Sequence, residues 1–216
     1  MLNTVYQINS SQPGDNGTRY DTLGDSGPTA LNQSEMATGL QQAVFDISAE
    51  TVFDCPAQWL AEAFSNGSRQ AWKYQYSVTP AYHGADLSAY FAVDATVPNA
   101  GFRHAFQKIL GNFIINNTPV ISMTEAMAGY TNSTVPIGAD GNIDWPEFTQ
   151  LQPWQMDLNT TGGTISKVTV TPELEYYERM GPGIVNDLRL VNTPAWEGGR
   201  GQRCAFWKDV SLRVPQ

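Results

Sequence analysis

The sequence predicts an α/β chain, on three observations. Stretches with an apolar residue every three or four positions, as in helices buried on one face, alternate with short runs of period two, as in half-buried strands. With 41% hydrophobic residues over 216 positions, the chain carries enough apolar material for a core, which excludes disorder. No stretch of about 18 consecutive apolar residues is present to cross a membrane. The length suits a single domain.

Residues 1–34 are rich in Gly, Ser, Asn, Asp and Pro and read as a loop-rich excursion. The pattern turns helical at Glu35, with Ser34 placed to cap and Leu40, Val44, Phe45, Ile47 and Val52 recurring on one face. A second helix starts around Asp54-Cys55-Pro56, runs through Trp59, Leu60 and Ala63 to Phe64, and ends at Asn66-Gly67. Ala71 to Val78 alternates aromatic or apolar with polar residues and predicts a strand, which Pro80 stops. The loop Ala81-Tyr82-His83-Gly84-Ala85-Asp86 leads into a short helical turn with Leu87, Tyr90 and Phe91. An amphipathic helix follows over Phe102–Asn116, its inner stripe being Phe102, Ala105, Phe106, Ile109, Leu110 and Phe113. Residues 118–165 read as loop, Lys167–Thr171 as a short strand, and the tail carries a compact Cys204-Ala205-Phe206-Trp207.

Twelve Lys+Arg against 21 Asp+Glu give a net charge of −9. That surface repels nucleic acid and anionic membranes, so neither is expected as a partner. Two Cys and two scattered His provide no zinc-ligand spacing, and no cofactor is expected. The cysteines, Cys55 and Cys204, are either two buried free thiols or one disulfide. A disulfide would close a loop worth about 4–5 kcal/mol of chain entropy.

Asn-X-Ser/Thr sequons occur at Asn9, Asn16, Asn32, Asn66, Asn116, Asn132 and Asn159. Seven among fourteen asparagines exceeds the two or so expected from a chain in which about one residue in seven is Ser or Thr. The first residues, MLNTVYQINSSQPG, contain no basic and apolar leader. The two facts together predict a secreted glycoprotein whose signal peptide is not in this chain; an Asn/Thr-rich composition without glycans is the alternative.

Gly24-Asp25-Ser26-Gly27-Pro28 has the look of a protease nucleophile loop, but one glycine is missing and the segment reads as a turn. Pro136 to Phe148 shares its Gly, Ile, ninth-position Asp and final Glu with a calcium-binding loop. Pro136 and Gly138 stand where the first two carboxylates belong, and this predicts a poor site. Asp86 with Glu173 or Glu175 is a conceivable carboxylate pair, with solvated surface the default. His83 differs from these: it follows a strand directly, has Gly84 behind it and precedes a helical turn, the placement a catalytic histidine needs to reach a nucleophile.

Three blocks resemble the C-terminal part of type-B carboxylesterases, the α/β-hydrolase family of fungal esterases, lipases and cholinesterases. They are Val52-Phe53-Asp54-Cys55-Pro56-Ala57-Gln58-Trp59-Leu60-Ala61, then Trp72-Lys73-Tyr74-Gln75-Tyr76-Ser77 through His83-Gly84-Ala85-Asp86-Leu87 to Tyr90-Phe91, and Arg203-Cys204-Ala205-Phe206-Trp207. Phe102–Phe113 and Asp144-Trp145-Pro146-Glu147-Phe148 sit where that family has a helix and a Trp-Pro turn. The resemblance spans roughly residues 45–210 and implies a partial α/β-hydrolase fold within 35–216. It further implies His83 as general base, Cys55–Cys204 as a structural disulfide, a C-terminal helix, and a secreted enzyme acting on small-molecule or lipid esters.

The chain departs from that family in having no G-x-S-x-G nucleophile elbow and no HGG oxyanion run, and family members are more than twice as long. The expectation is therefore a truncated portion that begins at an internal methionine and is inactive towards esters on its own. The rival expectations are a non-catalytic secreted glycoprotein or binding module that keeps the esterase fold, and a calcium- or carbohydrate-binding module using the 136–148 loop and its aromatics. Tyr82, Tyr90 and Phe91 either pack in the core or line the alcohol side of an ester site, and an uncovered apolar sheet edge is expected.

Overall fold

The structure, a computed structural model, describes Tyr6, Val44, and residues 47–65, 67–78, 81, 83–91, 99–128, 137–171 and 174–213. Helices and strands are mixed, as the sequence predicts. The chain divides into two compact units. One comprises residues 1–71, 148–153 and 192–216, and the other residues 72–147 and 154–191.

The first unit is helical among its described residues. A five-residue π-helical stretch, Glu50–Asp54, runs directly into helix α1, Cys55–Phe64, with Pro56 in its first turn, where proline's missing N–H costs no hydrogen bond. The C-terminal helix of this unit, Trp196–Val210, packs against them and continues as a 3-10 turn at Ser211–Arg213. Cys55 and Cys204 are fully buried and disulfide-bonded, with Cα atoms 5.1 Å apart. The π stretch widens the backbone spiral by one residue, and Glu50 is wholly buried at its first position. There its carboxylate takes a fork from Arg203, with Nη2–Oε1 at 2.6 Å and Nε–Oε1 at 2.8 Å. Arg200, also buried, reaches Asp54 at 3.5 Å. Leu60 and Phe64 are exposed; the buried face of α1 is Cys55, Gln58 and Ala61. The disulfide turns the helix, because it fixes Cys55 inward and so selects the residues three and six positions on.

The second unit holds a three-stranded sheet of order β1-β2-β5 and a hairpin β3-β4. The strands are β1 Tyr74–Tyr76, β2 Trp154–Thr161, β3 Thr164–Thr171, β4 Leu174–Met180 and β5 Val185–Asn192. Strands β1 and β2 are parallel, with Tyr74 opposite Met156 and Tyr76 opposite Leu158. The crossover between them carries α2 (Ala85–Phe91), α3 (Ala100–Asn116) and α4 (Met123–Met127), as a parallel pair requires.

On one sheet face Tyr74 and Tyr76 meet Phe106 and Phe102 of α3 edge-on, at centroid separations of 5.5 and 5.9 Å. Val78, Ile109, Ile121, Met127, Ile143, Trp145, Met156, Leu158 and Leu188 complete this core. Asn99 caps α3 by accepting the Phe102 N–H at 2.8 Å, while its own amide donates to the Ile184 carbonyl. Ser122 and Glu125 form a reciprocal capping box at the start of α4.

Several expectations change here. The region 118–165, expected as loop, contains α4 and β2, and two further strands, β4 and β5, follow β3. The Ala71–Val78 strand shortens to three residues, because only Tyr74–Tyr76 find ladder partners on β2. On α3 the inner stripe ends at Ile109: Leu110 is half-buried and Phe113 is 44% exposed. Among the described residues no helix is long and apolar enough to cross a membrane.

Chain passage from β2 into β3 and from β4 into β5 occurs through glycines with positive φ, Gly162 at +78° and Gly183 at +81°. A Cβ on Gly162 would overlap the Gly183 carbonyl oxygen, so the position requires glycine both for conformation and for space. Gly162→Ala is expected to cost roughly 2–4 kcal/mol, from left-handed strain plus overpacking. Gly181→Ala, at φ +87° with open space around it, should cost only the strain. Urea unfolding of both variants checks this, and equal losses would refute the close approach.

Candidate functional site

The His83 turn grows out of strand β1. The chain leaves the sheet at Ser77, whose N–H still donates to the Leu158 carbonyl at 2.9 Å, and Val78 buries its side chain in the core. The Ala81 N–H then donates to the Val78 carbonyl at 2.8 Å. Ala81 itself sits at φ +45°, a conformation that costs an L-residue free energy and persists only when its surroundings impose it. His83 and Gly84 form the turn, Gly84 with φ +80°, and the Leu87 N–H donates back to the Gly84 carbonyl. The imidazole of His83 is exposed.

Three contacts anchor the start and end of α2 behind this turn. The Tyr74 hydroxyl donates to Asp86 Oδ2 at 3.3 Å, linking strand to helix across the histidine. Tyr90 lies on Phe106 with ring centroids 4.4 Å apart, and Gln107 Nε2 donates to the Tyr90 carbonyl at 3.1 Å. Burial pushes the Tyr90 hydroxyl up to about 12. Tyr90 is therefore a packing residue. Phe91, by contrast, is 68% exposed and does not belong to the core. Tyr82 lies outside the described residues.

The other face of the sheet carries polar residues that the sequence reading passed over. Ser77 donates its hydroxyl proton to Asp157 Oδ1, and both are buried. Lys73, buried, donates from Nζ to Gln155 Oε1 at 2.6 Å. Asp187 accepts two bonds from Arg189, at 2.9 and 2.6 Å, which hold the guanidinium above its ordinary value. Strand pairing generates this ladder: residue 75 of the first strand, its flanking residues 73 and 77, and residues 155 and 157 of the second share the face opposite the aromatic core. Its chemistry is structural, since Ser77 is sealed from solvent and its proton points at a carboxylate rather than at an imidazole. The alternation Trp154-Gln155-Met156-Asp157-Leu158-Asn159 was the signal that would have revealed β2.

The remaining candidates separate clearly. Asn116 is exposed at the C-terminal end of α3. Asn159 is 2% exposed, its Oδ1 accepting the Thr160 N–H at 2.8 Å, so the folded strand leaves it no path to a glycan. In the 136–148 segment the Asp140 carboxylate accepts from Asn142 N and Nδ2, at 3.1 and 2.7 Å, closing a turn. Those bonds hold Asp140 below its usual value. Trp145 and Phe148 are buried and unavailable as a carbohydrate platform. Among the described residues no group of three His, Cys, Asp or Glu is placed to hold a metal ion. Asn9, Asn16, Asn32, Asn66, Asn132, Gly24–Pro28, Ser34, Pro136 and Glu173 lie outside the described residues.

Because the folded Tyr90 keeps its proton to a higher pH than an unfolded tyrosine, its contribution is intact below about 10 and is lost as pH rises towards about 12. Denaturant unfolding of the parent and of Tyr90→Phe at pH 8 and 11 is expected to show a smaller alkaline loss in the variant. An identical loss would remove Tyr90 from the account.

No protein-family model, no curated protein and no solved structure matches the chain.

Proposed function

We propose that the chain is the C-terminal part of a type-B carboxylesterase domain, a secreted serine hydrolase of small-molecule or lipid carboxylic esters. The observation that carries the reading is the setting of His83: an exposed imidazole on a tight turn between a parallel strand and a helix, with a strained Ala81 two residues before it. A general base needs such a perch, because its ring must face the reacting atoms while its backbone is held by the sheet. The buried Cys55–Cys204 bond supports the same reading, since it joins the helix ahead of β1 to the C-terminal helix and is favoured in an oxidising compartment.

In that role the neutral His83 ring takes the proton of a serine hydroxyl as the oxygen attacks the ester carbonyl. It returns that proton to the departing alcohol, and then deprotonates the water that hydrolyses the acyl-enzyme. The serine elbow, the acid that orients the ring and the oxyanion donors are supplied by sequence this chain does not contain. These groups act as a unit, so the histidine without the serine and the oxyanion donors supplies little acceleration. The partial α/β-hydrolase fold in this reading consists of β1, the His83 turn, α1 and the C-terminal helix.

Purified chain is expected to hydrolyse 4-nitrophenyl butyrate no faster than buffer, with His83→Ala indistinguishable from the parent. Turnover by the chain that His83→Ala abolishes would show a complete site and overturn the partial-domain reading. On the same reading, the deglycosylated natural protein, detected with an antibody to residues 45–110, has more than twice the 23.7 kDa of this chain. A band near that mass favours the non-catalytic glycoprotein instead.

A further inference from the structure

The buried carboxylate of Glu50 has a second partner besides Arg203. Tyr6, 3% exposed, donates its hydroxyl proton to Glu50 Oε2 at 2.6 Å and accepts the indole N–H of Trp207 on the same oxygen. The guanidinium of Arg203 lies over the Tyr6 ring at 5.5 Å from its centroid, and the Trp207 ring flanks it at 6.3 Å. These groups come from three separate stretches of the chain. Tyr6 is 44 positions from Glu50 and 201 from Trp207.

The geometry points to a phenol-binding socket on the C-terminal helix of the first unit, filled by the chain's own Tyr6. Two of its walls select a phenol over a plain phenyl ring, and the third selects an aromatic ring. A carboxylate is a strong acceptor for an acidic O–H, and a charge-assisted bond of this kind is stronger than a neutral one. An indole N–H donates and accepts nothing, so it requires an oxygen lone pair in front of it. A guanidinium over the ring face is attracted by the π-system. Only a group that donates and accepts through one oxygen on an aromatic ring satisfies all of them, and its ligand class is a para-alkyl phenol, the side chain of tyrosine.

Arg203 makes the socket rigid before the phenol arrives. Arg203 bonds both carboxylate oxygens, at 2.8 and 3.0 Å from Nε, and therefore sets the direction in which the Oε2 lone pair is left open. The adjacent Cys204 is covalently tied to α1, so Arg203 and Trp207 are carried by a helix that cannot turn away. Tyr6 thus acts as a tethered ligand, docked at high local concentration because it belongs to the same chain.

The test uses the full chain with Tyr6→Gly, titrated with p-cresol and, separately, with toluene, following the Trp207 indole N–H resonance. Binding of p-cresol at least about tenfold tighter than toluene, which is about 1.4 kcal/mol, is expected, with a shift of that resonance on saturation. Equal binding of the two, or no binding of p-cresol, overturns the socket and leaves Tyr6 as ordinary packing. Should Tyr6→Gly not fold, Tyr6→Phe decides: it keeps the ring and removes the oxygen. It is expected to move the Trp207 indole resonance and lower the thermal midpoint, and a variant unchanged in both overturns the proposal.

Discussion

The parallel pairing of Tyr74–Tyr76 with Met156–Leu158 is the constraint on which the second unit depends. Three residues of β1 are too few to hold a strand by themselves, and their partners lie some eighty positions away. The pairing survives because both faces of the pair are occupied. Phe102 and Phe106 cover one, and the other is tied by Lys73 to Gln155 and by Ser77 to Asp157. Once the register is set, the intervening chain must return across the sheet, which places α3 over the tyrosines and leaves the His83 turn at the end of β1. A slip of the first strand by one residue would bring Lys73 and Ser77 onto the aromatic core.

The first unit is organised differently, around charge. A wholly buried carboxylate is costly unless it is paired and hydrogen-bonded, and Glu50 is both. Its pairing with Arg203 and the Cys55–Cys204 bond join the same two stretches of chain through neighbouring residues. One contact is covalent and indifferent to solvent. The other depends on complete exclusion of water. Together they fix both the separation and the rotation of the helices, which neither does alone.

Local pattern carried much of this, and long-range consequence carried the rest. The helix over 100–116 was legible because Phe102, Ala105, Phe106, Ile109, Leu110 and Phe113 repeat at helical spacing, and its burial follows them as far as Ile109. The strand before His83 and the position of that residue on a turn were legible from period two followed by Pro80 and Gly84. Strand β2 was missed although it alternates, because its polar positions are Gln, Asp and Asn, residues that ordinarily mark loops; here all three are buried, Gln155 and Asp157 against partners far away in sequence. The inward face of α1 does not follow hydrophobicity: Leu60 and Phe64 are exposed, and the covalent bond from Cys55 to Cys204 sets the rotation. Glu50 reads in sequence as a surface helix residue, and nothing local announces that an arginine 153 positions on will bury it.

Burial of Asn159 bears on the order of events during synthesis. Its sequon is reachable only while β2 is unpaired, since in the folded sheet the amide is sealed. In a cell compartment that transfers glycans to nascent chains, strand pairing and sugar transfer compete for the same segment. Chains that pair first mature without a sugar there; chains modified first carry a bulky hydrophilic group on a strand that must enter the interior. The yield of native protein then depends on a race between a contact of long sequence separation, which forms slowly, and an enzyme acting on whatever remains extended. Slower translation through residues 154–161, or a lower temperature, changes the outcome of that race without altering a single contact in the finished fold.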